Sequence, residues 1–90
     1  MVQLKVIFNN NSIDLIEKLN KYFSNVDIES YNEDIFKERQ KAFKIKGGYG
    51  ARKTPFIIIL DENGPKKAFY SEDSSCTFDN VFKYLNNEQK

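Results

Sequence analysis

The sequence predicts an α/β domain in the order strand, helix, strand, helix, strand, strand, helix, with four strands in one mixed sheet and three flanking helices. Three observations carry that prediction. Short alternating segments are interleaved with stripes of apolar residues at helical spacing. The run Phe56-Ile57-Ile58-Ile59-Leu60 is apolar at every position, as a central strand is, and the pair Thr54-Pro55 stands directly before it. Asp61-Glu62-Asn63-Gly64-Pro65 is a string of turn formers that joins this run to Lys66 to Tyr70 as a hairpin.

Each element has its own signal. Leu4, Val6 and Phe8 alternate with Gln3, Lys5 and Ile7, and the odd apolar Ile7 points to a first strand covered on both faces. Asn9-Asn10-Asn11-Ser12 supplies a turn and a helix cap, after which Ile13, Leu15, Ile16, Leu19, Tyr22 and Phe23 mark a helix from about Ile13 to Phe23. Asn25 breaks the pattern. Val26, Ile28 and Tyr31 then alternate with Asp27, Glu29 and Ser30 as a short edge strand. Asn32 or Asp34 is the expected cap of a second helix carrying Ile35, Phe36, Ala42 and Phe43, with Glu38 and Arg39 to Lys41 facing water, and Gly47-Gly48-Tyr49-Gly50 ends it.

Proline has no amide donor, so Pro55 marks a special strand entry. After the hairpin, Ser71 to Ser75 is polar. Phe78, Val81, Phe82 and Leu85 form an i, i+3, i+4, i+7 stripe with Thr77 as its cap and Asp79 in the first turn, and Asn86 to Lys90 is expected to fray. Right-handed crossovers predict the third strand beside the first as a parallel neighbour, the second strand at one edge and the fourth, antiparallel, at the other.

Ninety residues make one domain, which buries about 60 to 65% of its unfolded surface. With 40% hydrophobic residues, eight Phe and five Tyr, the chain is too aromatic for a disordered segment. No apolar run reaches bilayer length, and the first eight residues read as a strand and not as a leader, so a cytoplasmic protein without a membrane partner is expected. The net charge of +1 gives no long-range pull on nucleic acid. One cysteine and no histidine leave no internal disulfide and no structural zinc site. The abundance of Asn, Lys and Ile fits an AT-rich genome, and a phage-encoded or virion-associated protein is one form of this expectation.

In element order nearly the whole chain resembles the thioredoxin fold. The stretch from Glu33 through Leu85, with Gly48-Tyr49-Gly50-Ala51-Arg52-Lys53-Thr54-Pro55-Phe56, the Asn63-Gly64 turn and the helix opening at Cys76-Thr77, resembles glutaredoxins in particular. The resemblance implies a cis bond before Pro55 and a Thr54 backbone that hydrogen-bonds an extended peptide or glutathione. It also implies a Cys-x-x-Cys between the first strand and the first helix, where a helix N-terminus stabilises the attacking thiolate. Here only Asn9-Asn10-Asn11-Ser12 stands there, in a segment shorter than the family's active-site loop. Dithiol oxidoreductase activity is therefore not expected.

Three readings of function stay open. The first is a redox-inactive binding module that docks a partner segment at Thr54 and Pro55 by strand addition, with Lys53 on a basic rim. The second is a glutathione-linked monothiol protein using Cys76. In glutaredoxins the place of Ser74-Ser75-Cys76-Thr77 holds the charged end of glutathione with backbone amides, and the helix N-terminus would lower the thiol pKa. No cofactor is otherwise implied. The third is an anion or nucleic-acid binder using the cluster from Lys41 to Lys53, which matches no phosphate-loop spacing and fits the fold less well than an acidic peptide does.

Overall fold

A computed structural model describes residues 2–88 of the chain. Its elements are β1 (Gln3–Phe8), α1 (Ile13–Tyr22), β2 (Asp27–Asn32), α2 (Phe36–Gly48), β3 (Phe56–Asp61), β4 (Gly64–Tyr70), a single 3-10 turn at Ser71–Asp73 and α3 (Phe78–Glu88). The strand order is β2-β1-β3-β4. β1 and β2 are parallel, with Gln3 opposite Asp27 and Phe8 opposite Asn32. β3 lies beside β1, but antiparallel to it, with Ile7 opposite Phe56 and Gln3 opposite Leu60. β4 closes the antiparallel hairpin, and its turn uses Gly64 at φ 109°.

The direction of β3 corrects the sequence expectation of a parallel pair. β2 leaves the sheet at Asn32, opposite the end of β1, and β3 enters at Phe56, opposite Ile7. Both ends of the α2 connection therefore lie at one end of the sheet. The chain crosses that end and does not return along the strands. The right-handed crossover rule holds only for parallel partners, here β1-α1-β2.

The strands sort their side chains by the two-residue pleat. Leu4, Val6, Ile57 and Ile59 pack under α1 and α3, against Ile16, Leu19, Phe23, Val81 and Leu85. Ile7, Phe56 and Ile58 face the other way, against Ala42 of α2 and Ala51. β1 and β3 are thus covered on both sides. Edge strand β4 carries exposed Pro65, Lys66 and Lys67.

Three expectations about the helices change. On α2 the buried residues are Ala42 and Lys46, while Phe36 is 85% exposed and Phe43 53%. Apolar character alone chose the wrong face, because Ala42 and Lys46 share one side of the helix and Phe36 and Phe43 another. On α3, Val81 and Leu85 enter the core but Phe82 stays at its margin, 39% exposed, its ring tilted against those of Phe78 and Phe23 with centroids 5.8 and 6.0 Å away. α3 also remains helical through Glu88, beyond the point where fraying was expected, and residues 89 and 90 lie outside the described residues.

Capping follows the sequence in part. Thr77 Oγ1 accepts the Asn80 N–H at 3.2 Å, as an N-cap does. Ser12 precedes α1, but its hydroxyl turns back to accept the Asn9 N–H at 2.9 Å. Asn32 and Asp34 do not cap α2, which starts after Ile35 without a side-chain cap. Gly50, at φ 73°, ends that helix, with the Ala51 N–H on the Lys46 carbonyl at 2.8 Å and the Gly50 N–H on the Gly47 carbonyl at 3.3 Å. Among the described residues no helix is long and apolar enough to cross a membrane.

Candidate functional site

The end of β1 and the start of β3 meet at one end of the sheet, and two turns converge there. In the first turn the Asn9 side-chain oxygen accepts the Asn11 N–H at 3.0 Å and the Ser12 hydroxyl at 3.0 Å. The Asn10 N–H reaches Asp34 Oδ2 at 2.8 Å, and Asn32 Nδ2 donates to Asn10 Oδ1 at 3.0 Å. The Glu33 N–H donates to the Phe8 carbonyl at 2.8 Å. The β1-α1 turn is therefore latched to the β2-α2 turn by polar side chains, and it holds no sulfur.

The second turn leads into Pro55. The Thr54-Pro55 peptide is cis. The Thr54 hydroxyl donates to Glu33 Oε1 at 2.5 Å and accepts from Lys46 Nζ at 2.7 Å, and Lys46 Nζ also meets Glu33 Oε1 at 3.0 Å. Lys46 is 7% exposed, so each of its charge-bearing contacts is sheltered from water. Upstream, the Arg52 and Lys53 N–H groups donate to the two oxygens of Glu72 at 2.7 and 3.3 Å. The Arg52 amide is the main reason the Glu72 carboxyl lies below the usual carboxylate range. Downstream, the Pro55 carbonyl accepts the Ser71 hydroxyl at 2.6 Å.

Thr54 itself is different. Its side chain is engaged, but its backbone N–H and C=O have no partner among the described residues. Thr54 is half-buried and lies two residues before β3. An unpaired donor and acceptor at the mouth of a strand are the groups that an added strand would use.

The five expected ligand-binding residues separate into two places. Lys53, Thr54 and Pro55 sit together at the strand entry. Cys76 is buried in the layer under α1 and α3, and Thr77 is exposed as the cap of α3. Burial pushes the Cys76 thiol up to about 12; the Ile57 N–H pulls it down and the Asp73 charge adds to the rise. The expected lowering by the helix N-terminus is thus outweighed by desolvation. The amides of Ser74, Ser75 and Thr77 already bond Ser71, Tyr70 and Ser75 carbonyls, so they are not free to hold a carboxylate.

The Lys41 to Lys53 cluster is also dispersed. Lys46 is buried against Glu33, Lys41 Nζ lies 5.5 Å from the centre of the Tyr31 ring, and the Arg52 and Lys53 backbone is held by Glu72. Glu33, Lys46 and Glu72 carry this site and were not singled out from the sequence as a set. Among the described residues no group of three His, Cys, Asp or Glu side chains is placed to hold a metal.

Two solved structures share this architecture. Thioredoxin 1 from the thermophilic eubacterium Thermosipho africanus TCF52B superposes with a TM-score of 0.57 at 19% identity, covering 98% of this chain and 99% of the other. A thioredoxin from Thermus thermophilus gives 0.56 at 10% identity, covering 96% of this chain and 72% of the other. This is the thioredoxin fold. At such identities the likeness fixes the scaffold and leaves the chemistry to the residues present. No protein-family model and no curated protein matches the sequence.

Proposed function

We propose that this thioredoxin-fold chain is a binding module without dithiol chemistry, which takes up an extended segment of a partner protein by strand addition at Thr54. The observation that carries the reading is the unpaired Thr54 backbone beside β3, held in place by Glu33 and Lys46 through its side chain. The lone cysteine supports it from the other side, because a buried thiol with a raised pKa is a poor nucleophile and has no second sulfur to resolve a disulfide. A cytoplasmic setting, with no membrane or nucleic-acid partner, belongs to this proposal.

The test is a titration of isotope-labelled protein with a panel of extended peptides, followed by backbone amide resonances. Thr54 and Phe56 are expected to shift first, and Thr54→Pro, which deletes the donor, is expected to abolish the response. Shifts centred elsewhere, with Thr54 unmoved by every binding peptide, would refute the docking mode. Insulin disulfide reduction at a rate comparable to a dithiol enzyme would refute the redox-inactive half of the proposal.

A further inference from the structure

The two residues that hold the Thr54 side chain also border a second surface. Arg39 Nε donates to the Glu33 carbonyl at 2.9 Å, and Lys46 Nζ, bonded to the Thr54 hydroxyl, lies 5.5 Å from the centre of the Phe43 ring. Arg39 and Phe43 share one face of α2 with Phe36 and Gln40, at i, i+3, i+4 and i+7 spacing. Phe36 is 85% exposed and Phe43 53%, and between their rings opens a hollow of about 500 Å³, lined also by Lys37, Arg39 and Gln40. It has room for a large side chain.

Beside it the surface turns cationic. A second hollow, of about 320 Å³, shares Lys37 and Gln40 with the first and adds Lys41 and Lys44. Among the described residues none of Lys37, Arg39, Lys41 and Lys44 has a carboxylate within ion-pair distance, in contrast to Lys5, Lys46 and Lys66. Arg39 uses one donor on a backbone carbonyl, Lys41 lies over the Tyr31 ring, and Glu38, the acidic residue of this helix, accepts the Asn32 N–H at 3.0 Å. The positive charge of α2 is thus met by no acidic group among the described residues.

We propose that the segment taken up at Thr54 is acidic and carries a large apolar side chain, which enters the hollow between Phe36 and Phe43 while its carboxylates face Lys37, Arg39 and Lys44. The inference rests on the Thr54 reading and adds the chemistry of the partner. An extended chain advances about 7 Å for every two residues, so it covers the step from Thr54 past Lys46 to Phe43 within two to four positions. A protein strand suits this surface better than a nucleic acid does, because the unpaired Thr54 N–H and C=O call for a backbone acceptor and donor beside the cations. A phosphodiester group has no donor to offer that carbonyl. Burial of the apolar side chain supplies affinity, and the exposed cations select among partners.

Isotope-labelled protein titrated with three peptides of about ten residues tests the proposal. Each joins a Thr-Val strand half to a different tail: Glu-Glu-Phe-Glu-Glu, the same tail with Lys for every Glu, or the same tail with Ala for Phe. The tail is placed at either end, since the direction of the added strand decides which end meets α2. The peptide with Glu and Phe is expected to bind about tenfold more tightly than either control, to move the amides of residues 36–44 together with Thr54, and to weaken in about 0.5 M salt. Phe36→Ser, and separately Lys37→Glu with Lys44→Glu, change exposed positions only. Each variant, checked for its fold by circular dichroism, is expected to lose the preference and keep the Thr54 shift. Peptides that shift Thr54 equally and leave α2 unmoved would overturn this inference and leave strand addition standing, as would a preference that survives both variants. Peptides that move α2 and never Thr54 would overturn strand addition and this inference with it, and so would silence at both places. Oligothymidylate or phosphatidylserine vesicles bound through α2 more tightly than the acidic peptide would assign the face to another polyanion and overturn it too.

Discussion

Lys46 Nζ stands 2.7 Å from the Thr54 hydroxyl, inside a protein whose other described lysines are at least partly exposed. Glu33 completes the triangle, with side-chain exposures of 9% for Lys46 and 18% for Glu33. Breaking a sheltered pair leaves one charge without compensation. Glu33→Gln, which strands the ammonium, is expected to cost about 3 kcal/mol, and Lys46→Met about 2. The double variant is expected to lose less than the sum. Urea denaturation of the four proteins checks this, and strictly additive losses would mean that the three groups do not act as a unit.

The margin of α3 gives a second expectation. Leu85 is 1% exposed and Phe82 39%. Leu85→Ala should destabilise by about 2 to 5 kcal/mol, and Phe82→Ala by no more than about 1.5 despite its larger side chain. Thermal melts that rank the two in the opposite order would show that α3 packs with another face.

Cys76 yields a third. Its thiol is raised from an ordinary value near 9 to about 12 by burial. The folded state therefore favours the protonated form, so this contribution to stability is complete below about pH 9 and is lost as pH rises toward 12. Iodoacetamide at pH 8 should modify the folded protein about 100-fold or more slowly than the urea-unfolded chain. Equal rates would place the thiol at the surface.

Glu72 behaves in the reverse sense. Its folded pKa is lowered, first by the Arg52 amide, so its hold on the 52–53 backbone is complete above the ordinary carboxylate range and is lost as pH falls through the lowered value. Hydrogen exchange at the Arg52 amide, corrected for intrinsic rates, should accelerate on acidification in the wild type. In Glu72→Gln it should already be fast at pH 7 and show no such step.

The fold was largely legible because its signals are local. Alternation at Leu4 to Phe8, the five-residue run from Phe56, the Asn63-Gly64 turn and the stripe containing Val81 and Leu85 each respond to burial of neighbouring residues. The direction of β3 was not legible, since it depends on which end of the sheet α2 crosses, and no residue of α2 encodes that by spacing alone. α2 was also where its face was misread. Its fully buried positions are one alanine and a lysine whose charge is met by residues 13 positions earlier and 8 later, with Ile45 half-buried beside them, so the two large phenylalanines pointed to the wrong face.

The candidate site was legible at Thr54 and Pro55 through resemblance, and illegible at its supports. Glu33, Lys46 and Glu72 look like ordinary surface charges in a chain that is 30% charged, and only folding gathers them around one strand entry. Cys76 stayed open between a thiol aided by the helix and a semi-buried residue near a cap, because position alone does not say where the side chain turns. Its position two residues before α3 suggested dipole assistance, while the side chain turns inward toward Ile57 and loses its water.

The outer rim of β4 bears on how the protein behaves when concentrated. Pro65 withholds a donor, and Lys66 and Lys67 set like charges beside the backbone groups that would otherwise template a further strand. Lateral annealing of sheets into cross-β fibrils is thereby disfavoured at this border, and storage at high concentration should leave thioflavin fluorescence flat.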